Sequence, residues 1–300
     1  MSFSMRIGVI GVTGFIGGAL AREAAQRGHE VIAFTRRPGA AVASAGEVRC
    51  LGTDGTAMDF SGLETLVNLA GESIFGLWTK ARRKRIRESR IELTHRIVDA
   101  LARGRERPRS IVSASAVGFY GGRADEILTE ESSPGSGFLA ELCVDWEAAA
   151  NRASALGMRV VNLRTSMVLG KGGGGWSVLR RIFGLGLGGR LGSGKQWMPW
   201  IHLDDEVGII LHAIENESCF GPMNLAAPNP VTNAEFTKAV ARAVHRPAFC
   251  HAPAIAMRLA LGEFSHVLLD SERAAPRAAL NAGYRFRHAS LDEALASLTR

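Results

Sequence analysis

Lysine and tyrosine are scarce in this chain. Of its 36 basic residues only five are lysine, and there are two tyrosines in 300 residues. Cysteine is sparse as well. Cys50, Cys143, Cys219 and Cys250 lie far apart, with no C-x-x-C and no Cys/His cluster of zinc spacing. A disulfide scaffold is thereby excluded, no metal site is expected, and a reducing, cytoplasmic setting is the simplest reading. No apolar run approaches the ~18 residues of a spanning helix, so no membrane partner is expected. The stretch Ile7–Leu20 behind Arg6 has the outline of a signal peptide, but its glycines fall in another pattern. Repeats and low-complexity linkers are missing too.

What remains is an ordinary globular composition, 46% hydrophobic and 22% charged, which excludes disorder, collagen and coiled coil. The length suits two domains, or one α/β domain with an appended lobe. The formal charge of +7 favours anionic partners: nucleic acid, a membrane surface or a phosphorylated ligand.

Strand-like and helix-like segments alternate through the first 165 residues. Strands are expected at Arg6–Ile10, Glu30–Thr35, Glu47–Leu51, Leu66–Leu69, Ser110–Ser113 and Arg159–Arg164. Helices are expected at Phe15–Arg27, Trp78–Arg103 and Gly137–Leu156. This order predicts an α/β fold, a Rossmann-like doubly wound parallel sheet. After Gly170 the texture turns glycine-rich, with helices expected at Trp176–Phe183, Asp205–Ile214, Asn233–Val244, Ala254–Leu261 and Leu291–Leu298, and a strand at Pro222–Leu225. The expected organisation is a nucleotide-binding domain over 1–170, to which 203–226 return. A smaller C-terminal α/β lobe takes 171–202 and 227–300.

The first strand runs into Gly11-Val12-Thr13-Gly14-Phe15-Ile16-Gly17 and then a helix. Gly11 permits the tight turn, Gly14 lets the backbone approach a pyrophosphate, and Gly17 lets helix pack on strand. The helix N-terminus offers unpaired N–H groups and a positive dipole end to phosphates. After the second strand, where an acidic residue would hold a ribose 2′-hydroxyl, stand Thr35-Arg36-Arg37. Guanidinium pairs with a 2′-phosphate that a carboxylate would repel, so NADP is expected over NAD. The plainer reading makes both arginines solvated loop charges.

Several stretches then coincide: GVTGFIG, VNLAGE at 67–72, SRI at 89–91, SASAVGFYG at 113–121, FLAELCVDWEAAA at 138–150, GSGKQWMPWIH at 192–202 and LGEFSHVLL at 261–269. Over nearly its whole length the chain resembles the atypical, sugar-nucleotide-epimerase-like extended short-chain dehydrogenase/reductases, within the NAD-dependent epimerase/dehydratase superfamily and with a C-terminal domain of unknown function. The resemblance implies a Rossmann domain of about seven strands with a small C-terminal lobe, binding NADP. It implies pyrophosphate contacts from Thr13 to Ile16, 2′-phosphate contacts from Thr35 and Arg36, and cofactor contacts from Leu69, Ala70, Gly71, Arg85, Arg90 and Val168.

The superfamily's acid–base pair, Tyr-x-x-x-Lys, is missing. Tyr120 is followed four residues on by Ala124 and Tyr284 by His288, and none of Lys80, Lys84, Lys171, Lys195 or Lys238 has a tyrosine four before it. The helix expected to carry the pair reads Phe138-Leu139-Ala140-Glu141-Leu142-Cys143, and the partnering hydroxyl position is Ala116, beside Ser115. Tyr120, Ser115 and His202 are the candidate substitutes; each also has a packing or structural reading. Lys195, Trp200 and His202 are expected in a loop closing over the substrate. The basic run from Lys80 to Arg87 reads as a helix face, without any recognition motif for nucleic acid beside it.

Three readings therefore stand. One is an NADP-dependent epimerase or oxidoreductase with a non-standard site, acting on a nucleotide sugar or similar small anion. The second is a non-catalytic NADP-binding sensor or interaction protein. The least favoured is a nucleic-acid-associated protein. The oligomeric state stays open.

Overall fold

The computed structural model describes residues 4–36, 45–52 and 58–299. Seven parallel strands form its main sheet: β1 (Arg6–Ile10), β2 (Glu30–Thr35), β3 (Glu47–Cys50), β4 (Thr65–Asn68), β5 (Ser110–Ala116), β6 (Arg159–Thr165) and β7 (Gly221–Leu225). Their spatial order is β7-β6-β5-β4-β1-β2-β3, with β1 pairing β2 on one side and β4 on the other. The order in which strands are added switches sides between β1 and β4, which opens a crevice at the carboxyl ends of those parallel strands.

The strands are short apolar runs because helices cover both faces. Within β1, Ile7 and Val9 face a core built with Leu20, Ala21 and Ala24 of α1 (Phe15–Gln26) and Val207 to Ile214 of α6 (Leu203–Glu215). Ile10 faces the other core, with Phe34, Leu66, Ile111 and with Ile97, Val98 and Leu101 of α3 (Leu93–Arg103). α2 (Lys80–Arg87) joins α3 through a π-helical turn, Glu88–Glu92. α4 (Phe138–Asn151) packs beside α3.

A third core gathers Trp176 and Phe183 of α5 (Gly174–Gly184), Trp200, then Phe236 and Val240 of α7 (Asn233–Ala243), and Leu291, Leu295 and Leu298 of α10 (Leu291–Thr299). The C-terminal segment divides its apolar residues between two of these cores. Ala279 of α9 (Arg277–Asn281) joins the first core and α10 the third. Fully buried Asp205, at the start of α6, pins this segment by accepting from Arg287 N, His288 N and the Tyr284 hydroxyl at 2.7, 2.9 and 3.0 Å.

Several elements differ from expectation. The long helix starts at Lys80 and not at Trp78, because the Thr79 hydroxyl caps it by accepting from Arg82 N at 3.2 Å. β5 continues through Ala116, since its last three residues still pair with Leu163, Arg164 and Thr165. Trp200 and His202 do not lie in a covering loop. They belong to the short strand Trp200–His202, paired with Met167–Gly170, and both are buried. Leu259 in α8 (Ala254–Leu261) is 84% exposed.

Candidate functional site

The glycine turn sits at the carboxyl end of β1. Gly11 has φ +87°, and a Cβ there would meet the Leu69 backbone at 2.9 Å, so the turn is pressed onto the end of β4. Gly14 N donates to Gly11 O at 2.9 Å, closing the turn. Thr13 and Gly14 are exposed, no side chain caps α1, and no acidic residue lies in its first turn. These helix-terminal N–H groups face open space with a positive dipole behind them. Gly17 serves packing instead. A Cβ there would lie 2.2 Å from Gly11 O, so its absence lets α1 sit on the strand. Phe15 turns away from the turn and packs under Gly170 and Gly173. Ile16 packs against the first core.

At the end of β2, Thr35 is half-buried, its carbonyl accepting from Leu51 N at 2.8 Å. Arg36 is exposed and forms no ion pair among the described residues. Arg37 lies outside the described residues.

The end of β4 brings the next group together. Leu69 N donates to Ile10 O, Ala70 N donates to Asn68 Oδ1, and Gly71 is exposed. Arg90 projects from the π turn over Gly71, where a Cβ would lie 3.0 Å from its Cζ. The π turn is locked by Thr94, whose hydroxyl donates to Arg90 O at 2.6 Å and accepts from Asn68 Nδ2 and Trp146 Nε1. Such turns recur at functional positions. The half-buried Arg90 guanidinium has only two long contacts, to Ile86 O and Ser89 Oγ at 3.4 Å, and no ion pair among the described residues. Burial holds its pKa below the usual arginine value. Arg85 is placed differently. It is exposed and turned to Glu72, with Nε 3.3 Å from Oε1. Val168 is buried in its short strand, paired with Ile201.

The three acid–base candidates do not converge. Tyr120 follows β5 by a 3-10 turn, Val117–Phe119, and is fully buried. Its hydroxyl donates to Asn224 Oδ1 at 2.7 Å and accepts from Arg164 Nη1 at 2.8 Å. Burial pushes the phenol up to about 12 despite the nearby guanidinium. Ser115 Oγ donates to Glu147 Oε1 at 2.7 Å. Glu147 accepts a two-pronged pair from Arg164 Nε and Nη2 at 2.8 and 2.9 Å. Asn224 Nδ2 donates to Leu128 O and Ala275 O. Tyr120 and Ser115 are thus members of one closed, buried network tying β5, β6, β7 and α4 together. Each of these polar atoms has a partner, as stability of such a network requires.

His202 lies elsewhere, at the start of α6, where its Nδ1 accepts from Asp204 N at 3.1 Å and its Nε2 meets Ser297 Oγ at 3.0 Å. Its ring stacks on His288 at 3.8 Å, and burial lowers its pKa. His202, Asp204 and His288 could share a metal by distance, their ligand atoms lying within 4.8 Å of one another. The Nδ1 lone pair, however, is spent on the helix cap. The three candidate residues therefore lie in two separate assemblies, Tyr120 and Ser115 in the buried network and His202 at the cap of α6.

Sequence reasoning passed over Glu147, Arg164 and Asn224. The available signal was a charged residue, Arg164, inside the apolar run of β6. It also passed over an aromatic group beside the end of β5. Trp78 stands edge-on to Phe138 at 5.1 Å and to Phe264 at 5.8 Å, and Leu139 packs against Gly118. Phe138 and Leu139 of this group open α4, the helix that lacks the Tyr-x-x-x-Lys pair. Cys143, further along that helix, is a buried thiol pushed up to about 12 by burial and then by Glu147.

An open parallel sheet in this order, with a glycine turn on its first strand, defines a dinucleotide-binding α/β fold of the Rossmann type carrying a C-terminal lobe. The chain belongs to the NAD dependent epimerase/dehydratase family, whose profile matches residues 7–226, while residues 252–298 match a domain of unknown function, DUF1731. It is 41% identical to the epimerase family protein Mb2239 of Mycobacterium bovis, over 98% of this chain and 97% of that one. The crystal structure of human epimerase family protein SDR39U1 (isoform 2) with NADPH superposes with a TM-score of 0.90 at 34% identity, covering 98% of this chain and 99% of the human one. The nucleoside-diphosphate sugar epimerase of Corynebacterium glutamicum gives a TM-score of 0.79 at 34% identity, covering 99% of this chain and 58% of that one. Among the described residues no helix is long and apolar enough to cross a membrane.

The residues present fit a dinucleotide. The N-terminus of α1 is open, Gly14 and Gly71 leave space that a side chain would fill, and Arg90 is a half-buried cation with no ion pair among the described residues.

Proposed function

We propose that this protein binds NADP(H) in preference to NAD(H) and works as an oxidoreductase that does not use the epimerase acid–base pair. The observation that carries the reading is the cradle itself. The α1 terminus, with the exposed Gly14 at its N-cap, carries no side-chain cap among the described residues, and Arg90 is held over Gly71 with no carboxylate in ion-pair contact among the described residues. An anion at that crevice supplies the missing counter-charge. When bound, the nicotinamide supplies or accepts a hydride. The chain's part is to hold the pyrophosphate on Thr13 to Ile16, to hold the 2′-phosphate on Thr35, Arg36 and Arg37, and to seat the remainder along Leu69, Ala70, Gly71, Arg90 and Val168.

The preference for NADP(H) rests on Arg36, exposed and without an ion pair among the described residues. One charge-assisted contact contributes about 1.5–3 kcal/mol, or roughly one to two decades of affinity. Titration calorimetry with both cofactors tests it. NADPH is expected to bind more tightly by that margin, and Arg36→Ala to remove the preference. Equal affinities in the wild type would refute it.

A small anionic substrate such as a nucleotide sugar is the second reading, favoured by the basic balance of the chain and the names of its relatives. Against ordinary epimerisation stands the acid–base chemistry. Losing a general acid or base costs ~10²–10⁴ in rate, and Tyr120 and Ser115 are engaged in the buried network. Weak or absent turnover of a nucleotide-sugar panel is the expected result. The alternative, a non-catalytic NADP-binding sensor, predicts cofactor binding with no substrate of any class.

A further inference from the structure

We propose that the outer face of the C-terminal lobe, where the end of α5 meets the strand Cys250–Ala252 and α8, docks on the surface of an anionic phospholipid bilayer. This binding surface goes beyond the cofactor reading and does not depend on it.

Two observations carry it. The first is apolar exposure. Leu187, Leu185, Ile255, Phe249 and Leu259 are 63, 68, 72, 78 and 84% exposed. They come from elements that touch. The strand Gly189–Leu191 pairs in parallel with Cys250–Ala252, Cys250 lying opposite Gly189. Cys250 Sγ also donates to Gly186 O at 3.6 Å, which sets the chain at Phe249 beside the turn that carries Leu185 and Leu187. At the other end of this strand pair, a Cβ on Gly192 would lie 3.5 Å from that of Ala254, the first residue of α8. Ile255 and Leu259 stand one turn apart on α8, and so share a face of it. A single exposed leucine is ordinary, whereas a group of this size on neighbouring elements marks an interaction surface.

The second is charge. Residues 171–203 and 236–262, which supply these elements, contain no aspartate or glutamate. Arg180, Arg181, Arg190, Arg246 and Arg258 are exposed there, each within three residues of an exposed apolar side chain. None of the five forms an ion pair among the described residues; of the arginines in these stretches only Arg242 does, with Asp292 at 2.7 Å.

Apolar tips among unpaired arginines complement a bilayer of anionic lipid. The guanidinium groups meet lipid phosphates while the aliphatic and aromatic tips enter the acyl boundary. Charge argues against a second copy of the chain, since a two-fold contact would set this face on itself and oppose like arginines. Side-chain type argues against a nucleic-acid strand, because bases stack on aromatic platforms and Phe249 is the one aromatic ring among these apolar residues. No spanning helix is required, as a chain lies on a bilayer through such a face without crossing it.

The test is flotation of the full chain with two sets of vesicles, phosphatidylcholine alone and an equal mixture of phosphatidylcholine and phosphatidylglycerol. The chain is expected to float with the mixed vesicles at low salt and not with phosphatidylcholine alone. Molar salt, which shortens the screening length to about 3 Å, should release most of it. Arg180→Gln and Arg181→Gln should each weaken binding roughly fivefold, the scale of one cation near an anionic surface. Leu187→Ser combined with Phe249→Ser should weaken it by roughly tenfold or more, the scale of burying one such side chain. Both positions are exposed, so thermal melts should match the wild type, and Ile255→Ser with Leu259→Ser supplies a second apolar pair on α8. A folded wild type that leaves the mixed vesicles unbound overturns the docking. Undiminished flotation of both apolar pairs reduces the binding to adsorption of a basic chain and overturns the face. A dimer in sedimentation equilibrium that Leu187→Ser dissociates assigns the face to a second copy. Binding of polyglutamate as tight as that of the mixed vesicles assigns it to an acidic protein. Either result overturns the lipid surface.

Discussion

The carboxyl ends of β1 and β4 and those of β5 to β7 belong to the same sheet and are treated in opposite ways. At β1 and β4 the chain leaves groups unspent: open helix N–H groups, the exposed Gly14 and Gly71, and Arg90 without an ion pair among the described residues. At β5 to β7 the polar side chains are spent on one another, in the network of Ser115, Glu147, Arg164, Tyr120 and Asn224. A binding surface keeps valences for its ligand, whereas a structural network closes its own. The fold has retained the half that suits a cofactor and turned the hydroxyls of the other half into scaffolding.

The contrast breaks most visibly at the Arg164–Glu147 pair, which is almost wholly buried. Glu147→Ala leaves the guanidinium buried without a counter-charge, an expected loss of about 3–5 kcal/mol, read as the urea midpoint at constant slope. A loss below about 1 kcal/mol, the scale of a surface pair, would mean that the network is open to solvent.

Next comes Gly14→Val, which probes the open half. Its Cβ would meet only Gly11 O, at 3.1 Å, so the variant is expected to melt near the wild type. NADPH binding should fall by roughly two decades, the equivalent of one or two charge-assisted hydrogen bonds. An unfolded variant would assign Gly14 to the scaffold, where Gly17 already belongs.

Tyr120→Phe separates scaffold from catalysis directly. It leaves Asn224 Oδ1 without its donor and Arg164 Nη1 with only the longer bond to Glu130 O at 3.3 Å, at an expected cost of about 1–3 kcal/mol. NADPH affinity and turnover of any accepted substrate should not change. A collapse of turnover with unchanged stability would return Tyr120 to a catalytic role.

The most gradual effect, spread over several units, concerns pH. Glu206, fully buried on α6, accepts from the Thr165 hydroxyl at one oxygen and leaves the other without a partner among the described residues. Burial pushes its carboxyl up to about 8. Below the ordinary carboxylate pKa both folded and unfolded chains are protonated and no penalty arises. Between there and about 8 the unfolded chain ionises while the folded chain keeps its proton, so stability falls as pH rises, by at most roughly 1.4 kcal/mol per unit. Above about 8 the penalty is constant. Glu206→Gln is neutral at every pH, and its stability should decline less between pH 5 and pH 8. Parallel curves for the two proteins would show that Glu206 is ionised in the fold.

The sequence by itself determined the parallel sheet, its β1 glycine turn and the loss of Tyr-x-x-x-Lys. Apolar periodicity, glycine spacing and an exhaustive check of two tyrosines and five lysines are local properties. It also pointed to Arg90 and Gly71, through motifs that end on neighbouring turns. The fate of Tyr120, Ser115 and His202 was decided only in three dimensions. Ser115 finds Glu147 32 residues away, Tyr120 finds Asn224 104 away, and His202 meets Ser297 95 away. A hydroxyl reads the same in sequence whether it faces a substrate or a buried carboxylate. Its chemistry depends on which partner the packing of distant strands and helices brings within about 3 Å.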